Sequence, residues 1–129
     1  MELAKFTIPI KPVTKKNSSQ IIYANGKPKL IPSKLYREYE NNCGWFIPKL
    51  NISQPINVKA LFYMPTKRRV DLPNLHEALH DVLIKYNCVK DDDCNIIVST
   101  DGSRVLYDKN NPRTEVFITT SEEEILKNM

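Results

Sequence analysis

The chain has 129 residues, enough for one modest hydrophobic core and too few for two. Apolar residues make up 41% and charged residues 26%, the proportions of an ordinary globular domain, so a disordered or fibrous chain is excluded. The net charge of +4 is unevenly spread: residues 1–70 hold 13 Lys/Arg against three acids, residues 71–129 six against 12. Such a split suits a surface that attracts a polyanion beside a pocket that holds a cation, or two faces that merely solvate the fold.

In chain order, residues 3–10 alternate loosely between apolar and polar and predict a first strand, with Pro9 at an edge or bulge. Residues 11–20 form a loop rich in amines and hydroxyls. Ile21 to Tyr23, Asn25-Gly26, then Lys27 to Ile31 predict a hairpin, because Asn-Gly suits a type I′ turn. Ser33 is the expected N-cap of a helix running to about Ile47, with Leu35, Tyr39, Cys43 and Phe46 along one stripe and Pro48 as its stop. Ile56 to Tyr63 reads as a strand. A second helix is expected from about Pro73 to Tyr86, with Leu75, Leu79, Val82, Leu83 and Tyr86 inward. Ile96 to Val98 and Val116 to Ile118 read as the last two strands. Ser121 and Glu124 form a capping box for a short terminal helix or a frayed tail. This order predicts a single α+β domain, a mixed or antiparallel sheet with helices packed on one face.

No apolar run approaches the roughly 18 residues of a membrane span. The opening six residues lack a basic leader followed by an apolar core. Three cysteines (Cys43, Cys88, Cys94) with no Cys-x-x-Cys spacing fit reduced thiols better than a disulfide scaffold or zinc site. The expectation is a soluble, cytoplasmic protein.

Chemistry is concentrated around the second helix. Asp71 precedes it, and Asp91, Asp92 and Asp93 follow it. A helix of about 14 residues is about 20 Å long, so the two acidic groups meet only if the loop folds back or a partner subunit supplies one of them. Within the helix, Asn74, Glu77 and Asp81 fall within about 60° of one another, on a stripe opposite the apolar one. Carboxylates and water can hold Mg²⁺ or Mn²⁺, which can grip a phosphate, activate water and stabilise a leaving oxygen. The run Lys67-Arg68-Arg69 abuts these acids and supplies cations for a nucleic-acid backbone.

Each feature also has a plainer explanation. Asp71 can be a helix N-cap, and Asp91 to Asp93 a solvated turn. Asp91-x-Asp93-x-Asn95 opens like a calcium loop, but Ile96 stands where glycine is required and Gly102 where glutamate is, which excludes it. His76 and His80 have zinc-compatible spacing without a complete His-Glu-x-x-His motif, so both are expected to be surface histidines.

The stretch Arg68-Arg69-Val70-Asp71-Leu72-Pro73-Asn74-Leu75, continuing through Ala78 to Asp81-Val82-Leu83 and ending at Asp91-Asp92-Asp93, resembles the RusA family of Holliday-junction resolvases. That family shows one or two basic residues, Asp-x-Asp-Asn-Leu, a helix ending in Asp-x-Leu, a short loop and an acidic pair. The segment from Pro12 to Asn17 (Pro-x-x-Lys-Lys-Asn) is similar to the family's early loop, and the helix carrying Tyr36 and Tyr39 sits where the family has one. The resemblance implies a domain over residues 1–120 with an acidic tail or short helix at 121–129. It also implies a homodimer that cleaves four-way DNA junctions with magnesium or manganese held by aspartates, in a recombination, repair or prophage setting.

Carried over position by position, Asp71 matches the first motif aspartate. Asp92 matches the essential member of the acidic pair, with Asp91 beside it, and Asn74 and Asp81 match the motif asparagine and late-helix aspartate. Two positions depart: Pro73 replaces the second motif aspartate, and Glu77 stands where a catalytic lysine is common. Glu77 can restore the lost negative charge, which gives Asp71, Glu77 and Asp92 as catalytic metal carriers with Asp91 alongside. Asn74, Asp81 and Asp93 then support them. Lys67, Arg68, Arg69, Lys15, Lys16 and Asn17 would bind backbone phosphates, contacts that carry little sequence information. The alternatives are a catalytically silent junction-binding module, and a globular protein whose acidic loop is only solvated surface.

Overall fold

The computed structural model describes residues 1–15, 19–91 and 93–121. Its elements run β1 (Glu2–Ile8), β2 (Ser19–Ala24), β3 (Lys27–Pro32), α1 (Lys34–Cys43), β4 (Ile56–Met64), α2 (Leu72–Lys85), β5 (Ile97–Ser99), β6 (Arg104–Tyr107) and β7 (Arg113–Thr120). The main sheet is mixed. β7 lies antiparallel between β1 and β4, while β5 and β6 both pair parallel with β4, at its beginning and at its end. β2 and β3 form a separate two-stranded sheet.

Alternation along the strands decides which face is covered. Ile56, Val58, Ala60 and Phe62 of β4 are buried, and the register sets Val58 beside Ile118 and Ala60 beside Val116 on the same face. Against this face α2 packs Leu75, Ala78, Leu79, Val82 and Leu83, all fully buried. Each large side chain in that stripe stabilises the fold by about 1.5–3 kcal/mol. α1 adds Tyr36, Tyr39 and Cys43 to the same core. The opposite face is only part-buried, and there Lys5 and Lys59 flank the Phe117 ring at 5.5 and 4.9 Å.

The two helices are tied together at one end. Lys85 pairs with Glu40 at 2.7 Å, and the Tyr86 hydroxyl donates to the Glu40 carbonyl at 2.7 Å. A Cβ at Gly44 would overlap the Tyr86 ring, so glycine is what allows this close approach. α1 is shorter than its pattern predicts and ends at Cys43, where tight turns take over: Phe46 N–H donates to the Cys43 carbonyl at 3.0 Å. Its inward stripe is Tyr36, Tyr39 and Cys43, with the expected Leu35 and Phe46 exposed. Sequence patterning also misses β6, whose residues are largely exposed and so do not alternate. The capping-box reading past Ser121 concerns 122–129, outside the described residues. The α+β class with helices on one face holds.

Candidate functional site

β4 leads into α2 through the loop of residues 65–71. In that loop the Thr66 hydroxyl accepts the Arg68 N–H at 3.4 Å. The loop, the segment after β1 and the first turn of α2 enclose a groove of about 660 Å³. Its polar lining includes Lys11, Thr14, Arg68, Arg69, Asp71 and Asn74. Asp71 occupies the N-cap position with extended dihedrals (φ −90°, ψ 123°), yet its side chain makes no capping bond. Among the described residues its carboxylate takes a long contact, 3.5 Å, from the Asn74 amide. A capping aspartate would spend its oxygens on the first-turn N–H groups. Asp71 instead presents them to the groove that holds two arginines. Lys67 departs from its neighbours and lies over the Tyr107 ring at 5.4 Å.

Further along α2, Asp81 pairs with Lys15 at 3.6 Å, and Lys15 also lies over the Tyr36 ring at 5.9 Å. The Tyr36 hydroxyl is buried without a hydrogen-bond partner among the described residues, and burial, then the Asp81 charge, raises its pKa.

A second groove, of about 480 Å³, lies on the other flank of α2 and is lined by Leu72, Pro73, His76, Glu77, His80 and Thr100. Glu77 thus shares a groove with Pro73, one turn away, and not with Asp71. The expectation of surface histidines is corrected here. His76 is buried edge-on against Phe62, with ring centroids 5.2 Å apart, and His80 packs on His76 at 5.4 Å. Among the described residues, neither nitrogen of His76 nor Nε2 of His80 has a hydrogen-bond partner. Burial lowers both pKa values, that of His80 to about 4.

A pH dependence follows. Both histidines are neutral in folded and unfolded chains above pH 6.5, so stability is complete there. Between pH 6.5 and 4 the unfolded chain takes up protons that the folded one refuses, and stability falls as pH falls. His80 alone is expected to contribute about 2–3 kcal/mol to this loss. Thermal melts at pH 7 and pH 4.5 check it: His80→Phe should flatten the difference, and an equal acid loss in that variant assigns it to other groups.

The later acids stand elsewhere. After α2, Lys90 N–H donates to the Ile52 carbonyl and Ile56 N–H to the Ile96 carbonyl, which fixes the intervening loop beside the start of β4. Asp91 and Asp93 are therefore at the far end of α2 from Asp71, roughly 20 Å away by helical rise. Asp93 holds a turn, its Oδ1 accepting the Asn95 N–H at 2.8 Å and its carbonyl the N–H groups of Ile96 and Ile97. Asp92, Lys16 and Asn17 lie outside the described residues.

As a test of fit to a divalent cation, Asp71 offers hard, exposed oxygens of the right kind. It does not offer a complete set: among the described residues, no three His, Cys, Asp or Glu side chains gather in one place to hold a metal. Burial pushes the thiols of Cys88 and Cys43 up to about 11 and about 12, which keeps both protonated and unsuited to nucleophilic attack.

Sequence reasoning missed Lys11, Thr14, Thr66 and Thr100 as lining residues. Lys11 was visible as one more amine of the early basic loop. The threonines carry no signal without the fold. Among the described residues, no helix is long and apolar enough to cross a membrane.

No individual curated protein matches the chain. The family model for endodeoxyribonuclease RusA matches residues 9–119, a span that includes β2 to β6, both grooves and the acidic loop. With that match over most of its length, the chain belongs to the RusA endodeoxyribonuclease family.

Proposed function

We propose that this protein is a Mg²⁺- or Mn²⁺-dependent endonuclease that acts as a homodimer and resolves four-way DNA junctions by phosphodiester hydrolysis. The observation that carries the reading is the groove lined together by the uncapped Asp71, Arg68 and Arg69. Cations beside a hard anionic ligand are what hydrolysis of a phosphodiester requires.

In this reading Arg68 and Arg69, with Lys67, Lys15, Lys16 and Asn17, hold backbone phosphates and set the register of the DNA. Asn74 steadies the Asp71 carboxylate, and Asp81 positions Lys15. Asp93 shapes the acidic loop through its turn. A bound divalent cation supplies polarisation of the phosphate and a nucleophilic water at neutral pH. Asp71, at the N-cap of α2, would be the first carboxylate to hold it, and Glu77 would have to reach it from the adjoining groove. Glu77 takes over from the missing second motif aspartate, a substitution favoured by its place one turn beyond Pro73 in the same groove. The third contribution, from Asp91 and Asp92, comes from a second copy of the chain, because α2 holds Asp71 and Asp91 at opposite ends.

Pro73 also favours a second reading, a junction-binding module without cleavage. The experiment is cleavage of a labelled four-way junction against matched linear duplex, with magnesium, manganese or chelator, using wild type, Asp92→Asn and Glu77→Gln. Paired symmetric cuts that need metal and disappear in both variants are expected. Junction binding without cuts in either metal overturns the enzyme and leaves the silent module.

A further inference from the structure

The hairpin of β2 and β3 is a sheet of its own, paired with no strand of the main sheet among the described residues. An isolated two-stranded ribbon is only marginally stable in water, so its surface calls for an explanation. Its turn, Asn25 and Gly26, has positive φ at both positions (54° and 74°), the geometry that matches the twist of a regular ribbon. The register sets Ile21 beside Leu30 and Tyr23 beside Pro28 on one face. There Ile21, Tyr23 and Leu30 are 65%, 76% and 69% exposed. The other face carries Lys27 and Lys29, beside Ala24 and Ile22.

Charge and position say what covers it. Residues 3–37 contain eight Lys/Arg and no acid, and the hairpin lies within that stretch. Lys11 to Thr14 before the hairpin and Leu35 after it both line the groove that holds Asp71. The ribbon is therefore rooted at the rim of that groove. Six residues of strand span about 20 Å, roughly six base pairs at 3.4 Å each. The B-DNA major groove admits a two-stranded ribbon, and thymine methyl groups there offer apolar contacts. A second copy is a poorer occupant. Pairing two such ribbons would set Lys27 and Lys29 and the surrounding acid-free basic stretch of each copy against the other's, a like-charge contact that DNA avoids.

From this the geometry points to an interaction surface: the β2–β3 hairpin is a ribbon that enters a groove of a duplex arm next to the cleavage groove. Lys27 and Lys29 lie on phosphates, and Ile21, Tyr23 and Leu30 contact base edges. The inference rests on the nuclease reading for its substrate, branched DNA, and adds a contact that lies outside the catalytic groove.

The test is binding and hydroxyl-radical footprinting of a four-way junction in chelator across a series of salt concentrations. Wild type is compared with Lys27→Ala/Lys29→Ala, Tyr23→Ser/Leu30→Ser and the charge-keeping Lys27→Arg/Lys29→Arg. All replace exposed side chains, and circular dichroism controls for folding. Wild type should protect about six base pairs of an arm beyond the branch point. The lysine-to-alanine variant should bind at least about tenfold more weakly, with a salt slope lower by about two, as expected for two lost phosphate contacts. The serine variant should lose the arm protection, and the arginine variant should bind like wild type. Wild-type binding with unchanged affinity, slope and protection in the alanine and serine variants overturns the ribbon and leaves the nuclease reading intact. Weaker binding accompanied by a fall from dimer to monomer in light scattering assigns the face to a second copy and likewise overturns it. A wild type that binds no junction overturns the nuclease reading and the ribbon together.

Discussion

Asp71→Asn should reduce metal-dependent cleavage of a four-way junction by at least about 10³-fold while leaving junction affinity within about threefold of wild type. Asparagine keeps the shape and the contact with Asn74 but removes the anionic oxygens. The residues proposed to hold phosphate, Arg68 and Arg69, are untouched. Asp71 would act through the cation it holds, and removing one group that stabilises transition-state charge costs on the order of 10²–10³ in rate, so losing the cation's contribution should cost at least as much. Single-turnover cleavage on saturated complexes separates the two effects. A variant that cuts at the wild-type rate removes Asp71 from the site; one that no longer binds makes its role structural.

The second large effect concerns two inactive proteins that become active on mixing. If Asp71 of one copy works with Asp92 of its partner, the Asp71→Asn/Asp92→Asn heterodimer has one site carrying both lesions and one carrying neither. Random exchange makes half the dimers heterodimers, so about a quarter of the wild-type sites should return. The products should be single nicks, because each heterodimer cuts one strand. If both aspartates of a site come from one chain, every site in the heterodimer carries a lesion and mixing restores nothing. Co-refolding the two variants and scoring nicks against paired cuts on a labelled junction gives the answer.

Much of the fold was legible because local signals agreed with the global arrangement. Asn25-Gly26 between alternating strands gave the hairpin, and the 3.6-residue spacing of Leu75, Leu79, Val82 and Leu83 gave α2 to within a residue at each end. Where packing overrode pattern, the reading failed. β6 is held by its pairing with the end of β4, a relation between distant residues that Arg104 to Tyr107 do not encode. Without a complete His-Glu-x-x-His motif, sequence alone points to His76 and His80 as surface residues. Yet Leu72, His76, Leu79 and Leu83 are spaced four, three and four apart, so His76 belonged to the buried face.

The site was legible only in part. Its acids and arginines were found from residue type and motif, but sequence could not say which of them share a space. Lys67, Arg68 and Arg69 are adjacent in the chain and diverge in the fold. Asn74 and Glu77 lie on one polar stripe of a helix and line different grooves, because α2 separates them like a ridge.

That ridge has a consequence for how the protein behaves in a cell. In the homodimer reading, a solitary chain carries two half-sites at the ends of a rod about 20 Å long and can complete neither. Cutting then depends on the square of protein concentration whenever the chains are mostly apart. Newly made protein would be harmless to duplex DNA until enough copies accumulate to pair. A helix of 14 residues would thus act as a safety interlock, with no inhibitor or modification needed to hold the nuclease in check.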